Sequence, residues 1–138
     1  MKKKILFFES NAVLRTALLD QIIINKDFDV IQSNSLEDVK LHIERSPIDL
    51  LIMGEDGGAH SLSSIIRFVK EIHFKNKILF IKNADSGEIS SSEDFTDNHH
   101  VIEKPFRIQF LIKKIDFVLA KISGSSDVSY RIGPFVFF

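Results

Sequence analysis

Apolar residues in this chain fall into short runs separated by amphipathic stretches. Ile5-Leu6-Phe7-Phe8 is wholly apolar and ends at Glu9-Ser10-Asn11. A run of that length without polar alternation predicts a strand buried on both faces, as in a parallel sheet. Asn11 or Ser10 can cap a helix predicted over residues 12–25. There Leu14, Ala17, Leu18 and Ile22 keep helical spacing and Gln21 is the one polar break. Residues 28–33 alternate around Val30 and Ile31 and predict a second strand. Ser35 is the expected N-cap of a second helix, with Asp38 placed where a capping-box acid reaches back. Leu36, Val39, Ile43 and Leu41 supply its apolar side, and Pro47 stops it.

The third predicted strand, residues 48–53, is the most apolar, and Gly54-Glu55-Asp56-Gly57-Gly58 follows as a flexible acidic loop. Ser61 caps a third helix carrying Leu62, Ile65, Ile66, Val69 and Ile72, and residues 78–81 form a fourth buried strand. Residues 83–100 break the pattern. Alternation calls for a helix, but residues 86–94 hold one aliphatic side chain, Ile89, so a frayed helix or a mobile loop is expected. Val101-Ile102 is a short fifth strand running into Glu103-Lys104-Pro105-Phe106. The last helix, residues 108–122, has a clean apolar stripe of Ile108, Leu111, Ile112, Ile115, Val118, Leu119 and Ile122, with Phe110 and Phe117 off it. Phenylalanines on the outer side of a helix mark a candidate interface. Residues 123–127 read as a linker. The apolar end, Phe135-Val136-Phe137-Phe138, predicts that a second domain begins near Val128 and is cut short here. Five strand–helix alternations imply an α/β domain built on a five-stranded, doubly wound parallel sheet with a weak fourth helix. Sites in that architecture form at the carboxyl ends of the strands. That directs attention to Glu9, Ser10, Gly54, Lys82 and Lys104.

Composition narrows the chemistry. The chain has 138 residues, a formal net charge of −1 and no cysteine. One compact domain accounts for that length. Without cysteine there is no disulfide framework, thiol nucleophile or thiolate metal site. A near-neutral balance argues against a generic nucleic-acid or membrane-surface binder. No apolar run approaches the roughly 20 residues of a membrane span, and the run after Lys2-Lys3-Lys4 is too short for a signal-peptide core. A cytoplasmic protein without membrane association is expected. The 54–58 loop lacks the Gly-Lys-Ser/Thr ending of a phosphate loop. His99 and His100 are adjacent, so they point apart in a strand, and no metal site is expected of them.

The strand-end residues carry a resemblance. The segments at residues 4–11, 49–54 and 77–82, together with Glu103-Lys104-Pro105-Phe106, resemble the CheY-like receiver domain of bacterial two-component response regulators. The match runs from Lys4 to Ile122, and Lys104-Pro105-Phe106 is its most specific part. The resemblance implies that the bond before Pro105 is cis and aims Lys104 at a phosphorylated carboxylate. The tail Tyr130-Arg131-Ile132-Gly133-Pro134-Phe135-Val136-Phe137 resembles the first strand of the winged-helix DNA-binding domain of OmpR/PhoB-type regulators. That likeness implies a transcription factor that meets DNA through a missing C-terminal domain.

Against that pattern the chain departs at the chemistry. The family places two acids after strand one to hold magnesium; here Glu9 fits one and Ser10 replaces the other. The phosphoacceptor aspartate position is Gly54, the switch hydroxyl position is Lys82, and the aromatic switch position is Val101. Glycine supplies no nucleophile. Glu9 with a hydroxyl and a carbonyl makes at most a weak magnesium site, so no cofactor is expected. Glu55 and Asp56 are the available substitute carboxylates, displaced from the strand end by one and two residues. Either Lys82 is expected to fill the vacant cation position and pair with Glu9, leaving Lys104 for Glu55, Asp56 or an anion, or Lys82 and Lys104 both point into solvent as ordinary loop lysines. Three functions follow as expectations. The first is a degenerate, non-enzymatic receiver that controls a DNA-binding output through a homodimer or another protein contact, for which the sequence names no sensor kinase. The second is a working phosphorelay receiver using Glu55 or Asp56. The third is an anion or small-molecule binder of flavodoxin-like type. In the resembling subfamily, active receivers pair through the fourth helix, strand five and the fifth helix. The Phe110/Phe117 side is what survives of that face here.

Overall fold

The computed structural model describes residues 2–24, 27–56, 60–87, 99–120 and 138. Nine elements follow in chain order: β1 (Lys3–Phe8), α1 (Ala12–Ile24), β2 (Phe28–Ser33), α2 (Leu36–Arg45), β3 (Leu50–Gly54), α3 (Leu62–Glu71), β4 (Lys77–Asn83), β5 (His99–Lys104) and α4 (Ile108–Leu119). The strands form one parallel sheet in the order β2-β1-β3-β4-β5. The predicted α/β, doubly wound architecture is the one observed. Of residues 83–100, where a frayed helix or loop is expected, Asn83 ends β4, residues 84–87 are not helical and His99 and His100 open β5, while residues 88–98 lie outside the described residues, as do the linker and residues 128–137 of the predicted second domain.

Strand periodicity explains why the apolar runs are continuous. Ile5 and Phe7 of β1, Leu50 and Ile52 of β3 and Leu79 and Ile81 of β4 face one way. They pack against Leu14, Leu18 and Ile22 of α1 and Leu111, Ile115 and Val118 of α4. The alternate residues Leu6, Phe8, Leu51, Met53, Ile78 and Phe80 face Val39 of α2 and Ile65 and Val69 of α3. Each central strand is thus covered on both faces, the condition that removes polar alternation from a sequence.

Local signals set the element ends, with some adjustments. Asn11, not Ser10, caps α1: its Oδ1 accepts from the Leu14 N–H at 3.0 Å. Ser35 and Ser61 cap α2 and α3, accepting from the N–H of Asp38 and Ser64 respectively. Asp38 does not complete a capping box; its carboxylate instead accepts from the Ser33 hydroxyl at 2.6 Å. The third strand starts at Leu50 rather than residue 48. Asp49 turns its carboxylate back to accept from the Lys4 N–H at 2.7 Å.

Candidate functional site

In a sheet of order 2-1-3-4-5 the connections leave in opposite directions on either side of β1 and β3. The crevice beyond their carboxyl ends is where such folds place their sites. Glu9 enters it directly from β1. The loop holds it from several sides. Glu9 Oε2 accepts from the Asn11 N–H at 3.1 Å. The Arg15 guanidinium reaches back from α1 and donates to the carbonyls of Glu9 and Ser10, both at 3.0 Å. Ser10 itself is exposed.

Gly54 closes β3 beside it. A Cβ built on Gly54 would lie 2.5 Å from Glu9 Oε1 and 2.7 Å from Glu9 Cδ. The Glu9 carboxylate therefore occupies the space into which a side chain at position 54 would grow. It meets Lys104 there: Nζ and Oε1 are 3.2 Å apart, with the glutamate side chain fully buried and the lysine 18% exposed. Oε1 has no directed hydrogen bond, so the contact is chiefly charge on charge. The Lys104–Pro105 peptide is cis.

Lys82 takes a different partner from the one the sequence suggested. It does not meet Glu9. Its register partner on β5 is Glu103, and the two side chains pair at 3.4 Å. Its Nζ also donates to the Ser86 carbonyl at 3.1 Å. Register explains the correction: parallel pairing of β4 with β5 sets Lys82 beside Glu103 and Asn83 beside Lys104. The lysine beyond that point is left to cross to Glu9. Lys82 is buried, so the solvent-pointing alternative also fails.

Glu55 and Asp56 do not reach Lys104 as expected; both are engaged elsewhere. Glu55 is buried. Its carboxylate accepts from the Leu62 N–H at 3.1 Å, the Asn83 N–H and the Ser86 hydroxyl. It thereby satisfies an open donor of α3 and ties β3 to the end of β4. Asp56 turns to His60, accepting from its N–H at 2.9 Å and lying 3.5 Å from Nδ1. A cavity of about 250 Å3 lies alongside, lined by Phe8, Glu9, Ser10, Arg15, Ser33, Asn34, Asp56 and His60. Arg15 and His60 were not singled out from the sequence. The one available sign was Arg15 a turn inside the helix capped by Asn11.

The donor set does not fit magnesium. A hard divalent cation takes several oxygen ligands in near-octahedral array. Here one Glu9 oxygen serves a backbone N–H, the other faces an ammonium, and Gly54 brings no oxygen on a side chain.

At the other edge of the sheet, Val101 of β5 is half-buried. It lines an open groove of about 460 Å3 with Ile102, Glu103, Phe110, Lys113, Lys114 and Phe117. Phe110 and Phe117 are 56% and 67% exposed. His100 sits edge-on to Phe117 at 6.3 Å. Burial, and then the charges of Lys114, Lys77 and His99, hold its pKa below the ordinary value.

No protein-family model matches the sequence, and no curated protein matches it. Solved structures do. A response regulator receiver domain protein from Bacillus halodurans superposes with a TM-score of 0.67 at 24% identity, covering 86% of this chain and 97% of that one. The chemotaxis response regulator CheY4 of Vibrio cholerae gives 0.65 at 16% identity, covering 86% and 100%. The N-terminal domain of the nisin resistance regulator NsrR gives 0.65 at 19%, covering 87% and 100%. The chain has the CheY-like receiver fold, and among its described residues no helix is long and apolar enough to cross a membrane.

Proposed function

We propose that this chain is a regulatory receiver domain that works without aspartyl phosphorylation. The observation that carries the reading is the Glu9–Gly54–Lys104 arrangement. The position that would supply a phosphoacceptor carboxylate is a glycine. The volume above it holds the carboxylate of Glu9, and the lysine that would meet a phosphoryl group is already paired with that carboxylate. The full engagement of Glu55 and Asp56 supports the same reading, because neither presents a free oxygen donor set at the end of β3.

Such a domain signals through contacts rather than chemistry, so it acts as an interaction module and not as an enzyme. Its output is proposed to be DNA-binding transcription of the OmpR/PhoB type, in the cytoplasm, controlled by pairing of two copies. The winged-helix-like sequence at residues 130–137 supports that assignment.

The test is amide NMR during titration with magnesium and beryllium fluoride, a phosphoryl mimic. The amides of Glu9, Gly54, Lys82 and Lys104 are expected to stay in place. A saturable shift of those amides, seen only with both components present, would show a carboxylate accepting the mimic and would overturn the proposal in favour of a working phosphorelay receiver.

A further inference from the structure

Phe106 ends the segment Glu103-Lys104-Pro105-Phe106, two residues beyond the lysine that holds Glu9. It is buried, so its backbone polar groups need partners within the protein. A residue far along the chain supplies them. The Phe106 N–H donates to the Phe138 carbonyl at 3.0 Å, and the Phe106 carbonyl accepts from the Phe138 N–H at 2.9 Å. Two residues that exchange both hydrogen bonds form the closed unit of an antiparallel bridge. Phe138 also packs against the apolar cluster that contains Phe106, Leu111 and Ile115. Main-chain pairing combined with one apolar anchor is how a sheet edge or turn takes an extended peptide.

We infer that the turn after β5 is a docking site for Phe138, and that docking steadies Lys104 on Glu9. The link is short. Phe138 fixes Phe106 at both backbone groups, and one residue separates Phe106 from Lys104. Coupling between two such sites is reciprocal. Withdrawing Lys104 from Glu9 loosens Phe138, and drawing position 138 away loosens Lys104. The strand-end pocket is thereby linked mechanically to the position of Phe138. This holds whether or not the pocket accepts a phosphoryl group.

The experiment is residue-resolved amide hydrogen exchange by NMR on the 138-residue chain and two variants. Phe138→Pro removes the N–H that pairs with Phe106. Phe138→Asp keeps that N–H and removes the apolar anchor. The Phe106 amide is expected to be protected in the parent and to exchange at least about tenfold faster in both variants, a local opening. The Glu9 carboxyl and Lys104 side-chain resonances are expected to shift with it, while the Leu51 and Ile52 amides keep their protection. In the reverse direction, Glu9→Gln is expected to speed exchange at Phe106. Equal Phe106 protection in the parent and both variants would overturn the docking. A loosened Phe106 with unmoved Glu9 and Lys104 would overturn the coupling. Protection of Phe106 that rises with protein concentration would give the dock to a second copy and overturn the intrachain assignment. A positive beryllium fluoride titration would defeat the phosphorylation-free function and leave these outcomes unaffected.

Discussion

Two lysine–glutamate pairs stand at the same end of the sheet, and their separations are nearly equal. Lys104 and Glu9 are 3.2 Å apart, Lys82 and Glu103 3.4 Å. Their surroundings differ. The Glu9 side chain is fully buried, and its only cationic partner among the described residues is Lys104. Glu103 is 52% exposed and is solvated whether or not Lys82 is present. Lys82 for its part has a second acceptor in the Ser86 carbonyl. Distance alone would rank these pairs as equals. Burial separates them, because a charge stranded in the interior has no water to return to, and one at the rim does.

The sharpest way to break that contrast is Lys104→Met, which keeps the apolar stem and deletes the ammonium. Glu9 is then left buried without its counter-charge. Removing one partner of a buried pair costs about 3–5 kcal/mol. That loss is expected in equilibrium urea unfolding followed by far-ultraviolet circular dichroism. A loss below about 1 kcal/mol, the range of exposed pairs, would mean that Glu9 reaches water in solution and that the two pairs are alike after all.

Gly54→Ala tests the same pair from beneath. The backbone of Gly54 lies outside the left-handed region, so alanine is compatible with its conformation. The obstacle is the Glu9 carboxylate, 2.5 Å from the new Cβ. Glu9 is the flexible partner and must swing aside, which weakens its contact with Lys104. Overpacking of this kind costs about 1–3 kcal/mol. In a Glu9→Ala background the obstacle is gone. There the same substitution is expected to be neutral or to stabilise by about 0.4–1 kcal/mol, through the lower entropy of the unfolded chain. A double-mutant cycle measures the coupling directly. Equal costs in the two backgrounds would show that Glu9 is not what fills the space above Gly54.

Much of this was legible in the sequence, for reasons that also explain what was not. Ile5-Leu6-Phe7-Phe8 and Ile78-Leu79-Phe80-Ile81 announce strands because both faces of a covered parallel sheet exclude polar residues. Ser35 and Ser61 announce helix starts because a cap acts within three residues. The strand-end residues could be named for the same reason, since the ends of apolar runs are local features. Their partners could not. Which lysine meets Glu9 depends on the register between β4 and β5 and on the space above Gly54 that the Glu9 carboxylate fills, and neither is a property of a local segment. The same applies to Glu55, which looked like a substitute nucleophile by position. Its donors come from residues 62, 83 and 86, brought together only by the fold.

The smallest expected effect belongs to the other pair. Glu103→Gln removes the charge opposite Lys82 but keeps shape and hydrogen-bonding capacity. Lys82 retains the Ser86 carbonyl, and Glu103 was already half in solvent. Exposed ion pairs contribute about 0–1 kcal/mol and are screened by salt. The urea midpoint of this variant is therefore expected to stay close to that of the parent, with any difference fading as salt is raised. Lys104→Met should keep its deficit at high salt, because the charge it strands is buried beyond the reach of counter-ions. A salt-insensitive loss of several kcal/mol from Glu103→Gln would reverse the ranking. It would mean that Lys82, the buried member of the rim pair, depends on Glu103 as strictly as Glu9 depends on Lys104, and that the partner's burial, not the glutamate's exposure, sets the cost.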